Sequence, residues 1–112
     1  MSQRQRELRR VRDGGGPGAD DAKIALGGGS TRHRLEAAIR ALADHRGRDS
    51  SICPSDAARA VGGENWRDFM DDARELACKL ARSGNVEITQ RGKVIDPDGG
   101  VSGPIRIRPA AG

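Results

Sequence analysis

The stretch from Asn65 to Arg108 constrains the fold most, because the spacing of its apolar residues changes partway along. Trp66, Phe69, Met70, Ala73, Leu76, Ala77 and Leu80 recur at steps of three and four, which puts them on one stripe of a helix. Ser83-Gly84-Asn85 stops that helix. Val86-Glu87-Ile88-Thr89 and Lys93-Val94-Ile95 then flank Gln90-Arg91-Gly92, a glycine-bearing connection of the kind that joins antiparallel strands. Beyond a turn at Asp96-Pro97-Asp98-Gly99-Gly100, Ile105-Arg106-Ile107-Arg108 alternates strictly and predicts a third strand, isoleucines inward and arginines outward.

Two weaker helical patterns lie upstream. The first is expected to start at Ser30 or Thr31 and run to about His45, with Leu35, Ala38, Ile39 and Leu42 inward. Ser51-Ile52-Cys53 reads as a very short strand or an extended linker. Pro54 then suits the first position of a second helix that buries Ala57, Ala58 and Val61 and closes at Gly62-Gly63. Asn65 reads as the N-cap of the third helix, with Asp68 completing a capping box. The expected class is α+β: a small winged helix-turn-helix over residues 30–109, three helices followed by a β-hairpin wing and a third strand, with a short tail at 110–112.

Size allows one small core. Of 112 residues, 35% are hydrophobic and 2% aromatic, Trp66 and Phe69, so aliphatic side chains and alanines must fill the interior. Residues 1–29 are Arg-rich, then Gly-rich, with Leu8, Val11, Ile24 and Leu26 as their only sizeable apolar side chains; a disordered basic arm is expected, since so little buried surface does not offset chain entropy. Ser2 to Arg12 has the pattern of a transient helix, but an isolated helix that short is marginal in water. No apolar run is long enough to span a bilayer and the N-terminus has no secretory pattern, so a cytoplasmic protein without membrane attachment is expected. Cys53 and Cys78 are too few for a disulfide scaffold, and in their apolar or helical contexts read as structural thiols that behave as small hydrophobes.

Several short segments, taken in order, also resemble a small bacterial family catalogued as a domain of unknown function: Ser51-Ile52-Cys53-Pro54-Ser55-Asp56-Ala57-Ala58-Arg59, Trp66-Arg67 with Met70, Ile88-Thr89-Gln90-Arg91-Gly92, Asp96-Pro97, and Gly103-Pro104-Ile105-Arg106-Ile107-Arg108. The likeness covers roughly residues 33–109. It implies a winged-helix fold and brings no activity with it.

The net charge of +4 makes polyanions natural partners, but its distribution matters more than its sum. Arg4, Arg6, Arg9, Arg10 and Arg12 crowd the first helix pattern, whereas residues 30–85 carry ten basic against nine acidic groups. A winged helix that reads DNA inserts its third helix in the major groove, where Asp68, Asp71, Asp72 and Glu75 would repel phosphates. Surface pairing of Arg67 with Asp71 and of Glu75 with Lys79 is the expected use of that face. Nucleic acid, DNA first, is therefore expected to be held by the wing and last strand, through Arg91, Lys93, Arg106 and Arg108, helped by Arg4, Arg6, Arg9 and Arg10 of the arm. The alternative is a protein-interaction module that captures a basic partner on Asp68, Asp71, Asp72 and Glu75.

Trp66, at the head of an apolar stripe, is expected to be partly buried in the core. Gly27-Gly28-Gly29 reads as a flexible joint, without the Gly-Lys-Ser/Thr ending of a phosphate-binding loop. His33 and His45 point away from one another on one helix and belong to no spaced set of metal ligands, and no nucleophile motif is present. The sequence thus predicts a binding protein and no enzyme, with no cofactor, no metal and no small-molecule substrate.

Overall fold

The computed structural model describes residues 2–100 and 102–110; the expected arm and tail extend beyond these at residues 1, 111 and 112, which lie outside the described residues. In chain order the elements are α1 (Gln3–Gly14), α2 (Ala19–Ala25), α3 (Thr31–Arg46), α4 (Pro54–Gly62), a 3-10 segment (Gly63–Phe69), α5 (Met70–Arg82), β1 (Val86–Gln90), β2 (Lys93–Val94) and β3 (Arg106–Pro109). The architecture is α+β, helices against a small antiparallel sheet of strand order β2-β1-β3. No helix among the described residues is long and apolar enough to cross a membrane.

Helix α3 is the hub, touching α1, α2, α4, α5 and β3. Ser30 caps it by accepting from the His33 backbone N–H at 3.2 Å, as the sequence predicts. Leu35, Ile39 and Leu42 are fully buried, and burial of each such side chain contributes roughly 1.5–3 kcal/mol. They meet Leu76 and Leu80 of α5, Val86 and Ile88 of β1, and Ile107 of β3 in one cluster. Ile52 exchanges both backbone bonds with Ile107, at 2.8 and 2.7 Å, so a single extended residue between α3 and α4 flanks the outer edge of β3. The extended reading of Ser51-Ile52-Cys53 is thus realised at one position, and Pro54 opens α4 as expected.

The expected disordered arm is instead folded. Ser2 caps α1, and Leu8, Val11, Ala22 and Ala25 all belong to the core cluster. The arm was read as an isolated segment, whereas α3 offers it a face of small buried residues that includes Ala37, Ala38 and Ala41. The approach is close enough that a Cβ on Gly18, which has φ +86°, would sit 2.8 Å from the Ala41 carbonyl oxygen. Arg34 of α3 also donates to the Ala25 carbonyl at 2.9 Å and so satisfies the end of α2.

The third helix is shorter than the sequence predicts. Its first turns are a 3-10 segment, no side chain caps it, and Asn65 has φ −96° and ψ 19°, so the capping box of Asn65 and Asp68 does not form. At the turn out of α4 the Phe69 ring folds back onto Gly62 and fills the space a Cβ would occupy. The change from 3.6 to about three residues per turn moves Trp66 off the apolar stripe. Trp66 lies outside the core cluster and is half-exposed, with the Arg59 and Arg67 guanidinium carbons 4.3 and 4.6 Å from its ring centre.

Candidate anion-binding surface at the hairpin

Strands β1 and β2 pair in the register Thr89 with Val94 and Gln90 with Lys93, which leaves Arg91 and Gly92 as a two-residue turn. Both have positive φ, 54° and 82°, the signature of a type I′ hairpin turn. Glycine adopts that region freely, but Arg91 is the one non-glycine residue with positive φ among the described residues. Its backbone is strained, at a position that asparagine or glycine normally fills. Arg91 and Lys93 are exposed, and neither enters an ion pair or side-chain hydrogen bond among the described residues.

Beside this turn lies a concavity of about 830 Å³, lined by Cys53, Gln90, Arg91 and the run Ser102 to Arg106. Three parts of the chain distant in sequence meet there. The Gln90 side chain donates to the Ser102 carbonyl and, at 3.3 Å, to the Pro104 carbonyl, which fastens the loop before β3 to the hairpin. Arg74 of α5 donates to the Gly103 carbonyl at 3.0 Å and holds the same loop from the other side. Arg106 is fixed by three bonds, from Nε to Ser51 Oγ at 2.8 Å, from Nη2 to the Ser51 carbonyl at 2.6 Å, and from Nη1 to Cys53 Sγ. Cys53 is therefore a partly buried free thiol that accepts from Arg106 in the recess; Cys78, also free and partly buried, packs against the core.

The cations singled out in the sequence do not converge as one patch. Arg108 bonds Glu87 at 2.9 Å, and Arg48 reaches the same carboxylate at 3.0 Å. The hydrogen bond from Arg108, and then that from Arg48, holds Glu87 below the usual carboxylate range. Arg4 is drawn inward to Glu7, with Asp56 at 3.7 Å, and Arg106 is turned onto Ser51 and Cys53. For Arg106 and Arg108 the partner comes from another element, which local spacing does not reveal, whereas Arg4 is taken first by Glu7 three residues along the same helix. Arg6, Arg9 and Arg10 share the exposed face of α1 and join no ion pair among the described residues.

The acidic face of α5 also departs from expectation. Arg32 of α3 bonds Asp72 and Glu75, both at 2.9 Å, while Lys79 reaches Glu36 at 3.4 Å and Arg67 sits over Trp66. The pairs Arg67 with Asp71 and Glu75 with Lys79 are absent among the described residues: α3 takes Glu75 through Arg32 and Lys79 through Glu36, while Arg67 turns onto the Trp66 ring. Asp68 and Asp71 stay exposed and outside any ion pair among the described residues. Gln90 and Ser102 were not singled out in the sequence. The available signal was an arginine before glycine in a two-residue turn, an unfavourable choice that marks the turn for attention.

Residues 32–110 match the model of the family described as "Protein of unknown function (DUF3253)". The match covers α3 through β3 and leaves α1 and α2 outside it. No curated protein matches the chain.

Proposed function

We infer that this chain, which belongs to the DUF3253 family of proteins of unknown function, is a winged-helix module that grips the phosphate backbone of nucleic acid, duplex DNA first, with its hairpin turn and the outer face of α1. The winged-helix reading is supported by the order of α3, the extended Ile52 beside β3, α4, α5 and then the hairpin, with α1 and α2 as an added layer. The single observation that carries the binding reading is Arg91, an exposed guanidinium kept on a strained turn with Lys93 two residues on. Backbone strain of this kind persists where function retains it. Contact through the backbone suits the charges, because Asp68 and Asp71 disfavour insertion of α5 into a groove.

The reading is tested by fluorescence anisotropy with a labelled duplex across a salt series. If Arg6, Arg9, Arg10, Arg91 and Lys93 each neutralise one phosphate, log affinity falls against log salt with a slope of about −4.5. Absence of binding at about 20 mM salt, or a slope near zero, removes the proposal. Capture of a basic protein on α5 is the competing reading, and it loses two of its four carboxylates to Arg32.

A further inference from the structure

We propose that the recess between the hairpin turn and the Ser102–Arg106 run is a binding site for a single phosphoryl group, held between Arg91 and Arg106. The inference shares Arg91 with the reading above and adds a discrete site to a diffuse one.

Four features of the recess agree. It carries two guanidinium groups and, among the described residues, no Asp or Glu lines it, so no protein carboxylate competes for the cations. Arg106 is already oriented: its three bonds to Ser51 and Cys53 hold the guanidinium in place and leave one N–H on each terminal nitrogen to donate. Arg91 has no side-chain partner among the described residues, and its strained backbone holds it at the rim. The floor is Ile105, only 2% exposed, and contact with this apolar side chain strengthens charge-assisted bonds made above it.

A phosphoryl dianion suits two guanidiniums better than a carboxylate does, because its second charge and third terminal oxygen let it meet two planar forks at once. The volume of about 830 Å³ exceeds what one phosphate fills, so the group is expected to arrive with an ester substituent. That substituent comes either from a free nucleotide or from the phosphorylated end of a nucleic acid strand.

The test is a ¹H–¹⁵N NMR titration of the full chain with inorganic phosphate, with sodium chloride at matched ionic strength as the control. Saturable shifts centred on the amides of Gln90, Arg91, Gly103 and Arg106 are expected, and weaker phosphate affinity by about tenfold in Arg91→Asn, which suits the turn and removes one charged donor. Arg106→Lys, which keeps the charge and loses the fork, is expected to weaken it comparably. Shifts that chloride reproduces, shifts centred elsewhere, or affinity unchanged in Arg91→Asn overturn the proposal. Two further arms separate the sources: adenosine monophosphate, and a short single strand with and without its 5′-phosphate. Phosphate binding here without duplex binding leaves this site standing and removes the nucleic-acid reading. Duplex binding that survives Arg91→Asn, with silent groove amides, does the reverse.

Discussion

Arg46 of α3 holds Glu7 of α1 through two parallel bonds, Nη2 to Oε1 at 2.9 Å and Nε to Oε2 at 3.0 Å. Glu7 is 7% exposed, so this pair, far apart in sequence, fixes α1 on the helical body. Loss of Arg46 removes both of these charge-assisted bonds and leaves Glu7 with Arg4 alone, at a cost of about 1.5–3 kcal/mol. Arg46→Ala is therefore expected to release α1, and hydrogen exchange should show its amides losing protection while those of α3 and α5 keep theirs. Uniform loss of protection would mean instead that α1 and the rest open as one unit.

At Arg91 stability and binding should move in opposite directions. Arg91→Gly or Arg91→Asn relieves the positive-φ strain and is expected to stabilise the chain by about 1 kcal/mol in urea denaturation. Duplex affinity should fall, with the salt slope smaller by about 1, and Lys93→Ala should reduce the slope equally with little change in stability.

The fit of α2 against α3 is testable with two glycines. Gly18→Ala drives a methyl group into the Ala41 carbonyl at positive φ and is expected to cost about 2 kcal/mol. Gly14→Ala, with no heavy atom within 4 Å of its Cβ and no positive φ, should be neutral or stabilising by about 0.4 kcal/mol. Thermal denaturation of both variants decides; equal effects would contradict close approach at Gly18.

Acid stability has a sign set by Glu87. The Arg108 hydrogen bond, then the one from Arg48, lowers its folded-state pKa below the ordinary 4.5. Its stabilising contribution is therefore complete above that value and is lost as pH falls through the lowered one. Glu87→Gln should lose stability at neutral pH and show a shallower decline of Tm on acidification. Asp44 is the opposite case: partial burial, then the nearby Asp21, raises its pKa while Arg40 partly offsets the rise. Asp44→Asn should accordingly gain stability at neutral pH, by no more than about 0.5 kcal/mol given solvent screening, and the gain should shrink as pH falls through the raised value.

Elements whose cause is local were readable from the sequence. Ser30 at a helix start, Pro54 at a first turn, the connection at Gln90-Arg91-Gly92, which the structure narrows to Arg91 and Gly92, and the strand expected at Ile105 to Arg108 and found at Arg106–Pro109 each carry their own instruction. What escaped depends on contacts between distant positions. The N-terminal helices need the alanine face of α3 and the Glu7–Arg46 pair, and neither is a periodicity of residues 1–29. The 3-10 segment accompanies the return of Phe69 onto Gly62, a contact that no periodicity announces. Of the surface cations, those on α1's outer face and the hairpin turn stayed exposed as expected, whereas Arg4, Arg106 and Arg108 were claimed by Glu7, Ser51 and Glu87.

The reciprocal bonding of Ile52 and Ile107 bears on how the protein is made. Helices α3, α4 and α5 leave the ribosome before β3, and until then Ile52 has no mate and the inner edge of β1 is open. Closure of the core is a late, non-local event, slow by the measure of sequence separation. During that interval the unpaired edge of β1 is the surface on which a nascent chain would stick to its neighbours.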